Sequence, residues 1–253
     1  MVRETRGDGY DSFGASAEGA ALGLAATRLL YERYFRVQSE GIDQVPASGP
    51  VIVAANHSGS LPLDAFMLCA DLLRNTDPPR PPRPVIDRFV PKLPFVGTFF
   101  SRVGAIDGAR RNVELALERG ELVVVFPEGT PGIGKPFSER YRLQPWRVGH
   151  VELALSARAP IVPVAIVGAE EQMPTLAKLD LHPFGAPYLP IVATPFPLPV
   201  KYRIRYGAPI ALHEELDGDP RDPALLAAGA ARIKAEVQAM IDEGLRTRAG
   251  VFR

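Results

Sequence analysis

The chain has 253 residues, of which 46% are hydrophobic, 23% charged and 8% aromatic, a composition that excludes a disordered chain and fits one compact domain or a domain with a small accessory. At this length roughly 70–75% of the unfolded surface can be buried without disulfides or a structural metal, and the single Cys69 supports neither a disulfide framework nor a metal-ligand cluster, in keeping with a reducing compartment. Lys plus Arg equals Asp plus Glu at 29 each, which argues against a nucleic-acid binder.

Met1 to Ser12 carries Arg3, Glu4, Arg6, Asp8 and Asp11 and no apolar core, so no secretory leader is expected. Ala17 to Phe35 then reads as a moderately amphipathic helix. Arg36 to Glu40 and Val51 to Ala55 read as strands across the turn-rich Gly41 to Pro50. Pro62 suits a first helical turn, and Leu63, Phe66, Met67, Ala70 and Leu73 recur at helical spacing, predicting a helix over Pro62 to Arg74. A proline-rich linker, Asn75 to Pro84, leads to a short strand, Val85 to Val90, and a short helix, Phe95 to Arg102.

Asn112 to Gly120 is a helix with a glycine stop, and the apolar run in Glu121 to Phe126 predicts a buried, parallel-paired strand. A helix over Val148 to Arg158, a strand over Ile161 to Gly168 and an alternating strand over Lys201 to Tyr206 follow. Pro223 to Arg246 carries an apolar stripe of Leu226, Ile233, Val237, Met240 and Ile241. This alternation predicts an α/β fold: a mostly parallel central sheet flanked by helices, with an N-terminal helix and a C-terminal amphipathic helix. Residues 1–35 are expected to form an N-terminal segment able to lie on a membrane, and 36–253 the main domain. Leu181 to Val200 is the longest stretch without a formal charge, but Pro183, Pro187, Pro190, Pro195, Pro197 and Pro199 prevent a spanning helix there.

Two constellations can carry chemistry. Val51 to Ala55 delivers His57 to the carboxyl end of a strand, where open α/β sheets place ligands. Asp64 would lie about 10.5 Å away were one helix to join the two residues. Gly59 and Pro62 break that path, so Asp64 can sit in the first helical turn and fold back onto one imidazole nitrogen, leaving the other to take a proton from a hydroxyl. The second constellation, Phe126-Pro127-Glu128-Gly129-Thr130, also follows a buried strand. The chain's middle is basic, with eight basic against three acidic residues over 74–111 and four against one over 132–149, which suits phosphates or anionic lipid surfaces.

Taken in order, Asn56-His57 with Asp64, Gly104-Ala105-Ile106 with Arg110, Phe126 to Thr130, and Ala159-Pro160-Ile161-Val162-Pro163-Val164 resemble the four blocks of the glycerolipid acyltransferases of the lysophospholipid acyltransferase superfamily, over roughly Tyr34 to Gly207. The resemblance implies a glycerol-phosphate-acyltransferase-like fold and an acyl thioester donor, on coenzyme A or acyl carrier protein, with no other cofactor and no metal. It implies His57 as general base with Asp64 as its partner, and acceptor binding by Arg110, Glu128, Gly129 and Thr130. Two features depart from the common pattern. Six residues separate His57 from Asp64 where the usual block has four, as in the branch related to monoacylglycerol and diacylglycerol acyltransferases. Pro131 stands where members using lysophosphatidic acid often carry arginine, and Lys135, Arg140 and Arg142 are candidates to substitute.

An activated thioester needs no serine or cysteine nucleophile. The acyl chain needs an apolar lining, for which Leu181 to Val200 is the candidate, with Phe184, Tyr188 and Phe196 as groove or interfacial residues. The expected acceptor is lysophosphatidic acid or another lysophospholipid; the alternatives are a neutral mono- or diacylglycerol, or a non-catalytic lipid-binding protein on the same scaffold. The expected location is cytoplasmic, attached peripherally to a membrane surface without a transmembrane helix. Two other classes are disfavoured. Gly129 to Lys135 nearly fits a phosphate-cradling loop, but Pro136 replaces the metal-ligating Ser or Thr, and no Gly-x-Ser-x-Gly elbow of a hydrolase is present.

Overall fold

The computed structural model describes residues 8–58, 61–181 and 188–253. In chain order it contains α1 (Ala17–Leu29), extended by a π-helical turn over Leu30–Tyr34, β1 (Gln38–Glu40), β2 (Val51–Ala55), α2 (Leu63–Asn75), β3 (Pro82–Ile86), α3 (Val96–Val103), β4 (Ile106–Asp107) and α4 (Arg110–Glu118). There follow β5 (Leu122–Val125), α5 (Thr130–Ile133), α6 (Gly149–Ala157), β6 (Ile161–Val167), α7 (Ala169–Gln172), β7 (Thr175–Leu179), β8 (Leu189–Val192), β9 (Arg203–Tyr206), α8 (Leu212–Glu215) and α9 (Pro223–Thr247).

Seven strands form one sheet in the order β1-β9-β6-β2-β5-β3-β4. All pairings are parallel except β6 with β9, which is antiparallel. The central strands are apolar on both faces because helices cover both. Val51, Val53 and Ala55 of β2 point into a layer with Tyr31, Phe35, Met67, Leu68 and Leu72. Ile52 and Ala54 point into the opposite layer with Val113, Leu117, Val151, Leu155 and Ile233. The period of two along the strand thus distributes one pentapeptide between two cores.

Helix ends follow their capping chemistry. Ser16 accepts the Gly19 N–H ahead of α1, Asp222 accepts the Ala224 N–H ahead of Pro223 in α9, and α3 stops on Gly104 at φ 108°, where lack of a Cβ permits the left-handed turn. Two buried ionic clusters tie distant segments together. Asp71 of α2 accepts from Tyr31, Ser39, Asn75 and Tyr206. The fully buried Arg83 of β3 meets Asp11 and both oxygens of Glu121, at 2.6 and 3.0 Å.

The sequence placed a strand at Val85 to Val90, whereas β3 begins at Pro82, inside the expected linker. Pro82 and Pro84 alternate with Arg83, so the N–H groups they lack fall on one side of the strand. Within the proline-rich stretch Leu181 to Val200, Leu189–Val192 is a strand, paired antiparallel with β7. No helix among the described residues is long and apolar enough to cross a membrane.

Candidate active site

β2 ends at Ala55, and Asn56 clasps β6 by donating to the Ile166 carbonyl at 3.0 Å and accepting the Ile166 N–H at 2.7 Å. This pins the chain immediately before His57. Beyond it, α2 opens with Asp64 in its first turn, where the helix dipole favours a carboxylate. Asp64 Oδ2 lies 2.7 Å from His57 Nδ1 and accepts the Ser58 N–H at 2.8 Å. Asp64 is fully buried, while the imidazole keeps 10% exposure. A buried carboxylate on Nδ1 makes that nitrogen the donor and leaves Nε2 as the basic position. The ring is held flat against Phe126, 4.2 Å between centroids.

Glu128 faces the protein. Its Oε1 accepts the His57 N–H at 3.1 Å and its Oε2 accepts the Gln144 N–H at 2.7 Å, with the side chain buried. Lys135 Nζ lies 3.7 Å from Glu128 and 2.9 Å from Glu170, and also donates to the Arg142 carbonyl at 3.1 Å. Burial raises the Glu170 carboxyl to about 7 against the pull of Lys135. Gly129 adopts φ 58°, ψ −148°, a conformation open essentially to glycine alone. Gly132 must also lack a side chain, because a Cβ there would come within 3.0 Å of the His57 carbonyl. Thr130 begins α5, and its carbonyl accepts the Tyr188 hydroxyl at 3.1 Å.

The structure therefore brings His57, Asp64, Glu128, Gly129, Thr130, Lys135 and Tyr188 together around the carboxyl ends of β2 and β5. Three other sequence candidates have surroundings of a different kind. Arg110 ion-pairs with Glu114 at 2.7 Å and with Glu152 on α6. Arg140 stacks on Phe137 and lines a surface depression of about 570 Å³ against α9 that includes neither His57 nor Asp64. Phe196 is 77% exposed. Phe184 lies outside the described residues. Among the described residues no group of His, Cys, Asp and Glu is placed to hold a metal ion.

Residues 36–167 match the family model for Acyltransferase, just over half of the chain. The chain belongs to the acyltransferase family. Among the chain's relatives is an uncharacterised protein of Mycobacterium leprae, 36% identical over 89% of this chain and 64% of that one. Another is the cattle "DGAT1/2-independent enzyme synthesizing storage lipids", 28% identical over 81% of this chain and 59% of that one. The chain thus spans about three fifths of the length of these relatives. The crystal structure of the 1-acyl-sn-glycerophosphate acyltransferase PlsC from Thermotoga maritima shares its fold, with a TM-score of 0.63 at 18% identity, covering 92% of this chain and 80% of that one.

Several site residues escaped the sequence reading. Gln144 was not singled out because its contribution is a backbone N–H, to which any residue type is blind. The aromatic cluster of Phe66 with Phe99 and Phe100, at 6.4 and 5.5 Å, begins two residues beyond Asp64; the helical spacing within 95–102 was visible, but not its docking on α2.

Proposed function

We propose that this acyltransferase moves a fatty acyl group from a thioester of coenzyme A or acyl carrier protein to a hydroxyl of a glycerolipid, with His57 as general base. The observation that carries this reading is the 2.7 Å contact between His57 Nδ1 and the buried Asp64 carboxylate. As the acceptor oxygen attacks the thioester carbonyl, Nε2 takes its proton. Collapse of the tetrahedral intermediate breaks the C–S bond, and the imidazolium returns the proton to the departing thiolate, so charge and atoms balance. Asp64 stabilises the imidazolium while it lasts. Glu128 contributes by positioning: its carboxylate fixes the main chain at His57.

Peripheral membrane attachment is part of the same proposal, and the distribution of exposed apolar side chains supports it. The 87–105 connection leaves the carboxyl end of β3 and presents Phe95, 90% exposed at φ 63°, beside exposed Arg88, Lys92 and Val96. The β7–β8 hairpin, which follows the carboxyl end of β6, exposes Leu176, Leu179, Leu189 and Ile191. Both protrusions rise on the edge of the sheet that holds His57. Apolar tips beside basic side chains suit the interface of an anionic bilayer, and this placement would aim the site at lipid.

The test is turnover by purified protein with labelled acyl-CoA or acyl carrier protein thioester and a panel of lysophosphatidic acid, other lysophospholipids, monoacylglycerol and diacylglycerol. A labelled ester product that disappears in His57→Ala, with the fold retained, is the expected result. No product with any pair, or undiminished product from the variant, overturns the reading.

A further inference from the structure

Several basic residues of the chain's middle are already committed. Lys135 is buried between Glu128 and Glu170, Arg110 is closed by Glu114 and Glu152, and Arg111 is held by Glu118. Arg147 differs. Its backbone N–H donates to the Pro127 carbonyl at 3.0 Å, and three residues earlier the Gln144 N–H donates to Glu128 at 2.7 Å. The 144–147 segment is thereby stitched twice to the turn that positions His57. Its side chain is laid over Gly129: a Cβ built there would stand 3.2 Å from Cζ and Nη2 of the guanidinium and 3.5 Å from Nε. The guanidinium makes no hydrogen bond or ion pair among the described residues, and the residue is exposed. An arginine with five donors, held against backbone next to a reaction centre and matched to no carboxylate, is suited to a planar or tetrahedral oxyanion from outside. It also stands just ahead of α6, whose N-cap Val148 offers no side-chain cap, so the helix field has the same sign.

We propose that Arg147, laid over Gly129, binds a phosphate group of the substrate. The inference rests on the acyl-transfer reading above and narrows it: a glycerolipid bearing a phosphate is preferred to its neutral counterpart. The same phosphate chemistry is present on the coenzyme A or carrier-protein donor, and the two sources separate experimentally.

Arg147→Gln, Arg147→Lys and, as a control for general charge, the distant Arg246→Gln are assayed with 1-acylglycerol 3-phosphate and with monoacylglycerol of the same chain. Each acceptor is paired with acyl-CoA and with the acyl N-acetylcysteamine thioester, which carries no phosphate. A charge-assisted bidentate contact predicts that Arg147→Gln lowers the preference for the phosphorylated over the neutral acceptor ten- to a hundredfold, through KM, with partial rescue in Arg147→Lys and none of this change in Arg246→Gln. A rise in KM confined to acyl-CoA assigns the phosphate to the donor. Unchanged KM for every phosphate-bearing substrate overturns the proposal. Calorimetric titration of 1-acylglycerol 3-phosphate into wild type and Arg147→Gln keeps the question separate from turnover. Weaker binding to the variant, with no product from any pair, would leave the phosphate site standing and reject acyl transfer; equal binding to both rejects the site.

Discussion

The Glu128 carboxylate takes the backbone N–H of His57 with one oxygen and that of Gln144 with the other. Both oxygens are thus required as acceptors: in Glu128→Gln one of the two N–H donors would face an NH2 group. The buried Lys135 would also lose one of its two carboxylates. Leaving such groups unsatisfied costs about 1–3 kcal/mol. The expected outcome is a thermal midpoint lowered by several degrees and a kcat reduced at least tenfold, with the acceptor KM little changed. A raised acceptor KM at wild-type kcat would instead show Glu128 binding substrate.

Asp64→Asn probes the proton route. The amide fills the same space but can no longer hold the imidazole in the tautomer that leaves Nε2 basic, and catalysis by a positioned base accounts for about 10²–10⁴ in rate. A loss of kcat in that range is expected, with substrate binding retained. Full activity in the variant would exclude Asp64 from the mechanism.

Stability should respond to pH through two buried groups that oppose each other. Burial lifts the Glu170 carboxyl from 4.5 to about 7, so over that window acidification protonates the folded chain first and stabilises it. Burial depresses His150 from 6.5 to about 4, so there acidification protonates the unfolded chain first and destabilises the fold. The groups facing Glu170 are Lys135, Glu128 and Tyr141. Each titration is worth about 1.4 kcal/mol per pH unit where only one state binds the proton. Urea unfolding of the wild type should therefore change little between pH 6.5 and 5, while Glu170→Gln loses on the order of 1–2 kcal/mol over the same interval. A flat profile in Glu170→Gln would contradict this pairing.

Arg83 joins the N-terminal segment to the sheet through Asp11 and Glu121. Although burial alone would raise it, the Asp11 carboxyl is held below its ordinary value by this guanidinium. Removing one member of a buried ionic cluster strands the others, typically at 3–5 kcal/mol. Arg83→Met should lower unfolding free energy by about that amount, measured by chemical denaturation at neutral pH. Adding Asp11→Asn to it should cost less than the sum of the two single changes.

Phe95→Ser tests the proposed bilayer contact. Withdrawing one aromatic ring from an apolar phase corresponds to about 1.5–3 kcal/mol, so partition onto anionic vesicles should weaken roughly tenfold or more. Unchanged vesicle binding would move the contact elsewhere on the surface.

The parts of the fold legible in the sequence are those whose signal is local. Val51–Ala55, Leu122–Val125 and Ile161–Val167 are apolar runs because both sides of each strand are covered, and their neighbouring helices carry the 3.6-residue period. The approach of Asp64 to His57 was likewise readable, since Gly59 and Pro62 interrupt the only path that would have separated them. Prolines misled at β3 and β8, strands that run through Pro82, Pro84 and Pro190. The basic residues were legible as charge but not as function: Lys135 and Arg110 are closed by carboxylates, Arg140 stacks on Phe137 and Arg147 lies over Gly129, and those neighbours are set by the fold.

The Asp71 cluster bears on modularity. Tyr31 reaches Asp71 from the N-terminal segment, Phe35 is wholly enclosed, and Ser39 and Tyr206 complete the same carboxylate's shell. The leading helix is consequently no detachable cassette: grafting it onto another protein, or starting the chain at residue 36, would remove a wall of the core and strip Asp71 of one of its two tyrosine donors. Any shortened variant meant to keep its shape should preserve everything from Asp11 onward.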